Sequence, residues 1–390
     1  MRIVLYGGSF NPPHLGHRAA AMRAAESLSP DRFLVMPTRL PPHKELPAGS
    51  PSPEERLRLC ELAFDGIPGL EVSDLELRRE GASYTADTVD ELRQNYPQDE
   101  LILLLGADML LCFEKWYRFR DLLRACSLAV LSRAGGEREA LEAAAAHLRE
   151  SCGAKVRILE HEPIEMSSAQ IRALLPQRLG ADCLSGAVYA EIIRRRFYGA
   201  KPDLHWLREQ GYALLKPKRV PHVAGCEKTA AALAERWGED PALAAEAAIL
   251  HDATKRCDAQ EQLRLCEEYG VALTDDERAC PEVLHAITAA ALAADRFGAP
   301  AEVQSAIRWH CTGKPGMTTL EKIVWLADYT EPTRDFPGVD KVRKLSQKDL
   351  DRAMAAALDL TLKHIKEDKY KLCGITEQAR DYYAGLTDRR

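Results

Sequence analysis

Hydrophobic positions fall into two regimes along this chain. In the first half, short apolar runs alternate with amphipathic stretches. Residues 2–6, 32–36, 70–77, 101–105, 127–131 and 155–159 read as strands, and the segments from near His14 to Leu28, 54–64, 86–95 and 137–150 read as helices. A continuous apolar run such as 101–105 suits a strand buried on both faces. The alternation therefore predicts an α/β fold, a doubly wound parallel sheet. Beyond Arg219, strand-like runs almost vanish and Ala-, Leu- and Glu-rich segments with helical spacing take over, which predicts an all-α helical bundle. Between the regimes lies Arg194-Arg195-Arg196-Phe197-Tyr198-Gly199-Ala200-Lys201-Pro202, a helix end broken by Gly and Pro, so the domains are placed at 1–200 and 202–390.

Composition narrows the classes. With 390 residues, two cores are expected rather than one. The net charge of -6 is mixed in sign along the chain, and no basic run suggests a nucleic-acid surface. Eleven scattered cysteines without a C-x-x-C pair indicate neither a disulfide framework nor a zinc ribbon, which fits a reducing cytoplasm. No signal-peptide pattern opens the chain and no apolar run approaches the ~20 residues that span a bilayer, so no membrane association is expected. A homo-oligomer is left open.

The stretch Leu5-Tyr6-Gly7-Gly8-Ser9-Phe10-Asn11-Pro12-Pro13-His14-Leu15-Gly16-His17 joins the first strand to a helix through a loop suited to phosphate. Gly7 and Gly8 let backbone N–H groups approach a ligand, and a helix N-terminus favours an anion. The helix begins near His14, so His14 and His17, three apart, share one helix face and can point at the same phosphate chain. This string resembles the signature of the nucleotidylyltransferase superfamily, with His14-Leu15-Gly16-His17 as its H-x-G-H element, and its G-G-S-F-N-P-P-H form is similar to nicotinate mononucleotide adenylyltransferase. Four further elements carry the resemblance: Pro42-His43-Lys44, Ser83-Tyr84-Thr85-Ala86-Asp87-Thr88, Gly106-Ala107-Asp108 followed by Trp116, and Met166-Ser167-Ser168-Ala169-Gln170-Ile171-Arg172. The resemblance covers residues 1 to about 198 and implies transfer of AMP from ATP to nicotinate mononucleotide with Mg²⁺ as cofactor. It implies ATP contacts from Gly7, Gly8, Ser9, Phe10, His14, His17, Gly106, Asp108, Ser167, Ser168 and Arg172, and nicotinate mononucleotide contacts from Lys44, Thr85 and Trp116. His14, His17, Lys44 and Arg172 would be catalytic by positioning and charge stabilisation. Ala169 stands where the family has Thr. A preference for another mononucleotide is the alternative.

In the second half, His222, the pair His251-Asp252, His285, His310 and Asp328 fall on separate predicted helices, and bundle cores build metal sites in this way. Imidazole and carboxylate ligands suit iron, manganese or zinc. The order H…HD…H…H…D, with Ala248 to Lys255 and Leu326 to Arg334, resembles the YqeK-like HD-domain phosphohydrolases, which hydrolyse diadenosine tetraphosphate symmetrically. That resemblance implies two divalent metals, iron first, held by His222, His251, Asp252, His285, His310 and Asp328. Asp252 would bridge them and act in catalysis with Lys255, while Lys255 and Arg334 would bind the polyphosphate. Cys311 replaces the usual Thr after the histidine. The alternatives are a nucleotide-sensing regulatory module or hydrolysis of another nucleotide.

Overall fold

The computed structural model describes residues 1–42, 45–132, 138–161, 164, 166–367 and 371–387. Two compact units follow one another, Met1–Lys201 and Pro202–Arg390.

The first unit is a six-stranded sheet with helices β1 (Arg2–Gly8), α1 (Leu15–Leu28), β2 (Arg32–Pro37), α2 (Pro53–Phe64), β3 (Leu70–Val72), α3 (Thr85–Asn95), β4 (Glu100–Gly106), α4 (Ala107–Leu111), α5 (Phe119–Ala125), β5 (Ser127–Ser132), α6 (Arg138–Cys152), β6 (Val156–Glu160), α7 (Ser168–Leu174) and α8 (Gly186–Arg195). Every pairing is parallel, in the order β3-β2-β1-β4-β5-β6. This is the doubly wound order, whose direction of winding reverses between β1 and β4, where such sheets leave a crevice for a ligand. Side chains of β1, β4 and β5 such as Ile3, Leu5, Leu103 and Val130 form one buried cluster with those of α3 and α6, including Val89 and Leu141.

Two expectations change here. β1 runs on to Gly8, which pairs with Pro37 and whose carbonyl accepts from Thr38 N at 2.9 Å, so both glycines of the turn belong to the strand. Of the stretch 70–77, only Leu70–Val72 pairs with β2; the chain then turns at Asp74–Leu77.

The second unit is helical: α9 (Leu204–Ala213), α10 (Val220–Trp237), α11 (Pro241–Leu250), α12 (Ala259–Glu268), α13 (Asp275–Arg278), α14 (Leu284–Phe297), α15 (Ala301–Arg308), α16 (Thr319–Thr330), α17 (Val339–Ser346), α18 (Leu350–Glu367) and α19 (Gly374–Thr387). Its core draws on α10, α11, α14, α15, α16 and α18, with Leu233, Ile249, Ala289, Ile307, Leu326 and Leu358 buried together. α11 is apolar almost all round, as a helix at the centre of a bundle must be. No described helix is long and apolar enough to cross a membrane.

Candidate active sites

In the first unit, a cavity of about 500 Å³ opens where β1, β2 and β4 end. Gly7, Gly8 and Ser9 from the end of β1, Thr38 after β2, Leu105 on β4, and Thr85 and Trp116 line it together. The volume suits a mononucleotide-sized ligand. Glu76, which the motifs did not single out, also faces this space. It is buried, accepts from Thr88 Oγ1 at 2.9 Å, and burial raises its carboxyl to about 7.

The loop after β1 is fixed from several directions. Arg56, fully buried on α2, donates to the carbonyls of Ser9 (2.8 Å) and Arg39 (3.0 Å). Arg172 donates to the Asn11 carbonyl at 2.6 Å, Ser168 Oγ to the Pro12 carbonyl at 2.8 Å, and Tyr198 Oη to Asn11 Oδ1 at 2.7 Å. Ser167 caps α7 through Gln170 N at 3.2 Å. Thus α7 is tied to the phosphate-type loop, and one of the Arg172 donors is already committed to backbone. Arg56 and Tyr198 escaped the sequence reading because neither sits in a recognisable motif.

His14 is not on the helix. It is the residue before α1, in extended conformation (φ −139°, ψ 173°), yet its ring lies 3.8 Å, centroid to centroid, from that of His17. His17 Nδ1 accepts from His14 N at 3.2 Å, holding the turn closed. Gly16 leaves room for this ring: a Cβ there would meet the His14 imidazole at 3.0 Å and push it aside by a few tenths of an ångström. Burial lowers His14 to about 4, and its Nδ1 has no hydrogen-bond partner among the described residues. A neutral imidazole with an unsatisfied buried nitrogen suits a polar ligand group. Phe10 does not reach the cavity with its side chain; it is buried edge-on against Tyr6, His17 and Phe64. Gly106 ends β4 and Asp108 lies in the first turn of α4; neither is among the described residues lining the cavity. Lys44 falls outside the described residues.

In the second unit, all six expected ligands converge, although not all of them lie within helices as expected. His222, His285 and Asp328 lie within α10, α14 and α16; His251 and Asp252 form the turn after α11, and His310 the turn after α15. Asp252 is fully buried and central. Its Oδ1 lies 3.3 Å from His285 Nε2 and 3.9 Å from His310 Nε2, and its Oδ2 lies 3.4 Å from His251 Nε2 and 3.9 Å from His222 Nε2. Asp328 Oδ1 lies 3.0 Å from His222 Nε2 and 4.0 Å from His251 Nε2.

Each histidine is oriented by its other nitrogen. Nδ1 of His251, His285 and His310 faces the carbonyls of Ala248 (2.6 Å), Glu282 (2.8 Å) and Ile307 (2.7 Å), and Nδ1 of His222 faces Glu331 Oε1 at 3.0 Å. A carbonyl or carboxylate only accepts, so Nδ1 carries the proton and Nε2 is the atom aimed inward. Glu331, itself fully buried, packs so closely on α10 that a Cβ at Gly225 would collide with its Oε2. His251 Nε2 and Asp252 Oδ1 are buried without a hydrogen-bond partner among the described residues. Burial opposes charge throughout, yet the facing imidazoles hold Asp252 and Asp328 well below the usual carboxylate range, and both carboxylates raise His251 to about 9. A proton on His251 and a divalent cation are alternative ways to neutralise these carboxylates, so the donor set fits a metal whose binding releases that proton.

The cations around this cluster are engaged in the site itself. Arg334 pairs with Asp328 at 2.7 Å, Arg219 with Asp252 at 2.5 Å, and Lys255 Nζ lies 3.2 Å from both ring nitrogens of His285. Arg219 and Glu331 were missed as site residues; Glu331 sat inside a quoted motif, while nothing in the sequence marked Arg219.

Fold and site together define a nucleotidyl-transfer type of α/β unit followed by an HD domain: the cytidylyltransferase-like family matches residues 5–174 and the HD domain family residues 219–333. A "probable nicotinate-nucleotide adenylyltransferase" of Carboxydothermus hydrogenoformans is 35% identical over 198 residues, which is 50% of this chain and 98% of that protein. One from Shewanella sp. (strain MR-7), described in the same words, is 30% identical over 212 residues, covering 51% and 99%. Through its first half, the chain belongs to the nicotinate-nucleotide adenylyltransferase family. Among solved structures, a "predicted HD superfamily hydrolase involved in NAD metabolism" from Clostridium acetobutylicum is 33% identical, covering 46% of this chain and 96% of that one, with a TM-score of 0.45.

Proposed function

We propose that the first unit transfers AMP from ATP to nicotinate mononucleotide, releasing pyrophosphate. The observation that carries this reading is the shared cavity: the glycine end of β1 and the Thr85 and Trp116 walls enclose one space at the reversal of the sheet, with the His14–His17 ring pair where the loop after β1 enters α1. Trp116 offers an aromatic face for the nicotinate ring and the start of α3 at Thr85 offers N–H groups for its carboxylate. A phosphate monoester is already ionised near neutral pH, so the chain needs no general base. Its contribution is alignment of the two nucleotides and stabilisation of charge at the α-phosphate by His17 and His14. Mg²⁺ bound with ATP would supply charge to offset that of the departing pyrophosphate. His17→Ala should reduce kcat by ~10²-fold or more while leaving the fold intact. Near-normal turnover would remove His17 from this role, and equal use of nicotinamide mononucleotide would undo the substrate assignment.

We further propose that the second unit is a metal-dependent hydrolase of dinucleoside polyphosphates that cuts diadenosine tetraphosphate at its centre. The convergence of His222, His251, Asp252, His285, His310 and Asp328 on one buried point supports it. Two divalent cations there would supply Lewis acidity and a water acidic enough to attack phosphorus. The chain's own part would be to hold them, with Asp252 as the central carboxylate, and to meet the phosphates with Lys255 and Arg334 at the site. Early products decide the regiochemistry: two ADP are expected, and AMP with ATP would refute symmetric cleavage. Asp252→Ala should abolish both metal binding and hydrolysis; full activity after metal removal would refute the metal reading.

A further inference from the structure

The six expected ligands leave two sulfur atoms unaccounted for. Cys226 lies one helical turn after His222 on α10, 1% exposed, with Sγ 3.4 Å from His222 Nε2 and within 4.8 Å of ligand atoms of His251 and Asp328. Cys311 follows His310, and its Sγ lies 3.2 Å from both His285 Nε2 and His310 Nε2. These nitrogens are the ones aimed inward, so the thiols face the same points as the carboxylates.

The sulfurs also divide evenly. His222, His251, Asp328 and Cys226 form one set of four donors. His285, His310 and Cys311 form another set of three, with Asp252 Oδ1 standing 3.3 Å from His285 Nε2 and 3.9 Å from His310 Nε2. Around a tetrahedral ion with nitrogen at about 2.0–2.1 Å and sulfur at about 2.3 Å, neighbouring nitrogen and sulfur ligands stand about 3.5 Å apart and two nitrogens about 3.3 Å. The His222–Cys226 separation of 3.4 Å and the His285–His310 separation of 3.2 Å, Nε2 to Nε2, match that frame, and the Cys311 contacts fall a few tenths short of it.

We propose that Cys226 and Cys311 are metal ligands, one in each half of the HD site, and that they make it selective for a thiophilic divalent cation such as zinc or ferrous iron over manganese or magnesium. The inference rests on the metal reading above. Each thiol releases its proton to solvent as the sulfur–metal bond forms, with no change of oxidation state. Thiolate donors favour softer ions, whereas an all-imidazole and carboxylate set discriminates less.

Cobalt(II) titration of the full chain tests this by absorption. Visible d–d bands report binding and a near-ultraviolet band reports sulfur-to-cobalt charge transfer. The wild type should show both; the charge-transfer band should weaken in Cys226→Ser and in Cys311→Ser and vanish in the double variant while the d–d bands persist. Zinc affinity should fall at least ~10-fold in the double variant, and manganese affinity should hold. Visible bands without charge transfer in the wild type would overturn the thiol ligands and leave the metal site standing. No cobalt binding at all would overturn both. The wild-type spectrum is sufficient, so a variant that fails to fold does not leave the matter open.

Discussion

Arg172 donates a 2.6 Å hydrogen bond to the carbonyl of Asn11, joining α7 to a loop 161 residues earlier in the chain. A charge-assisted bond of this kind contributes about 1.5–3 kcal/mol, so Arg172→Ala is expected to lower kcat/KM for ATP by roughly 10- to 100-fold. Hydrogen exchange of Ser9, Phe10 and Asn11 separates the two parts Arg172 can play. Faster exchange in the variant marks loss of the loop anchor, unchanged exchange marks loss of a phosphate contact, and unchanged kcat/KM would exclude both.

His14 predicts a specific acid sensitivity. Burial lowers its folded-state pKa to about 4, below the ordinary ~6.5, so the unfolded chain takes up the proton first as pH falls. The stability associated with a neutral His14 is therefore complete above pH ~6.5 and is lost as pH falls toward about 4, by up to about 3 kcal/mol. Urea unfolding at pH 7 and at pH 4.5 should show a smaller loss in His14→Gln than in the wild type. Equal losses in the two proteins would rule out this contribution.

Glu76 predicts a pH-dependent KM. Burial raises its carboxyl to about 7 in the cavity wall, with the Thr88 hydrogen bond and the Arg79 charge partly opposing the rise. Below pH 7 it is neutral; above, it places a negative charge beside an anionic mononucleotide. KM for nicotinate mononucleotide should then rise several-fold between pH 6.5 and 8.5, and the rise should flatten in Glu76→Gln. A parallel pH profile in the variant would exclude Glu76 as the source.

The two units predict independent folding. Residues 1–201 and 202–390 each have their own buried core, so each fragment should unfold cooperatively by itself. Calorimetry and dye binding check this: a fragment that melts without a transition and binds a hydrophobic dye under native conditions would show that its core is incomplete.

Much of this was legible in the sequence because it is local. Apolar runs such as Leu101–Leu105 marked the sheet, the change to helical spacing marked the second unit, and the strings 5–17, 248–255 and 326–334 marked where chemistry lies. Locality also explains the errors. Residues 70–77 read as one strand, but only Leu70–Val72 pair in register with Phe33–Val35 of β2; after Ser73 N reaches the Val35 carbonyl the chain turns at Asp74–Leu77. His14 read as helical from its spacing to His17, whereas its extended backbone lets the two rings meet from different elements.

By itself the sequence determined the two fold classes, the family of the first half and the order of the histidines and aspartates. The tertiary structure alone decided that Arg56, Arg172 and Tyr198 grip one loop, that Glu331 turns His222 inward, and that Arg219, Cys226 and Cys311 stand at the HD cluster. Periodicity is a property of neighbours a few residues apart, so a sequence displays it directly. A hydrogen bond or a ligand cluster depends on where side chains tens or hundreds of residues apart are aimed once the cores have packed, and no local pattern encodes that direction.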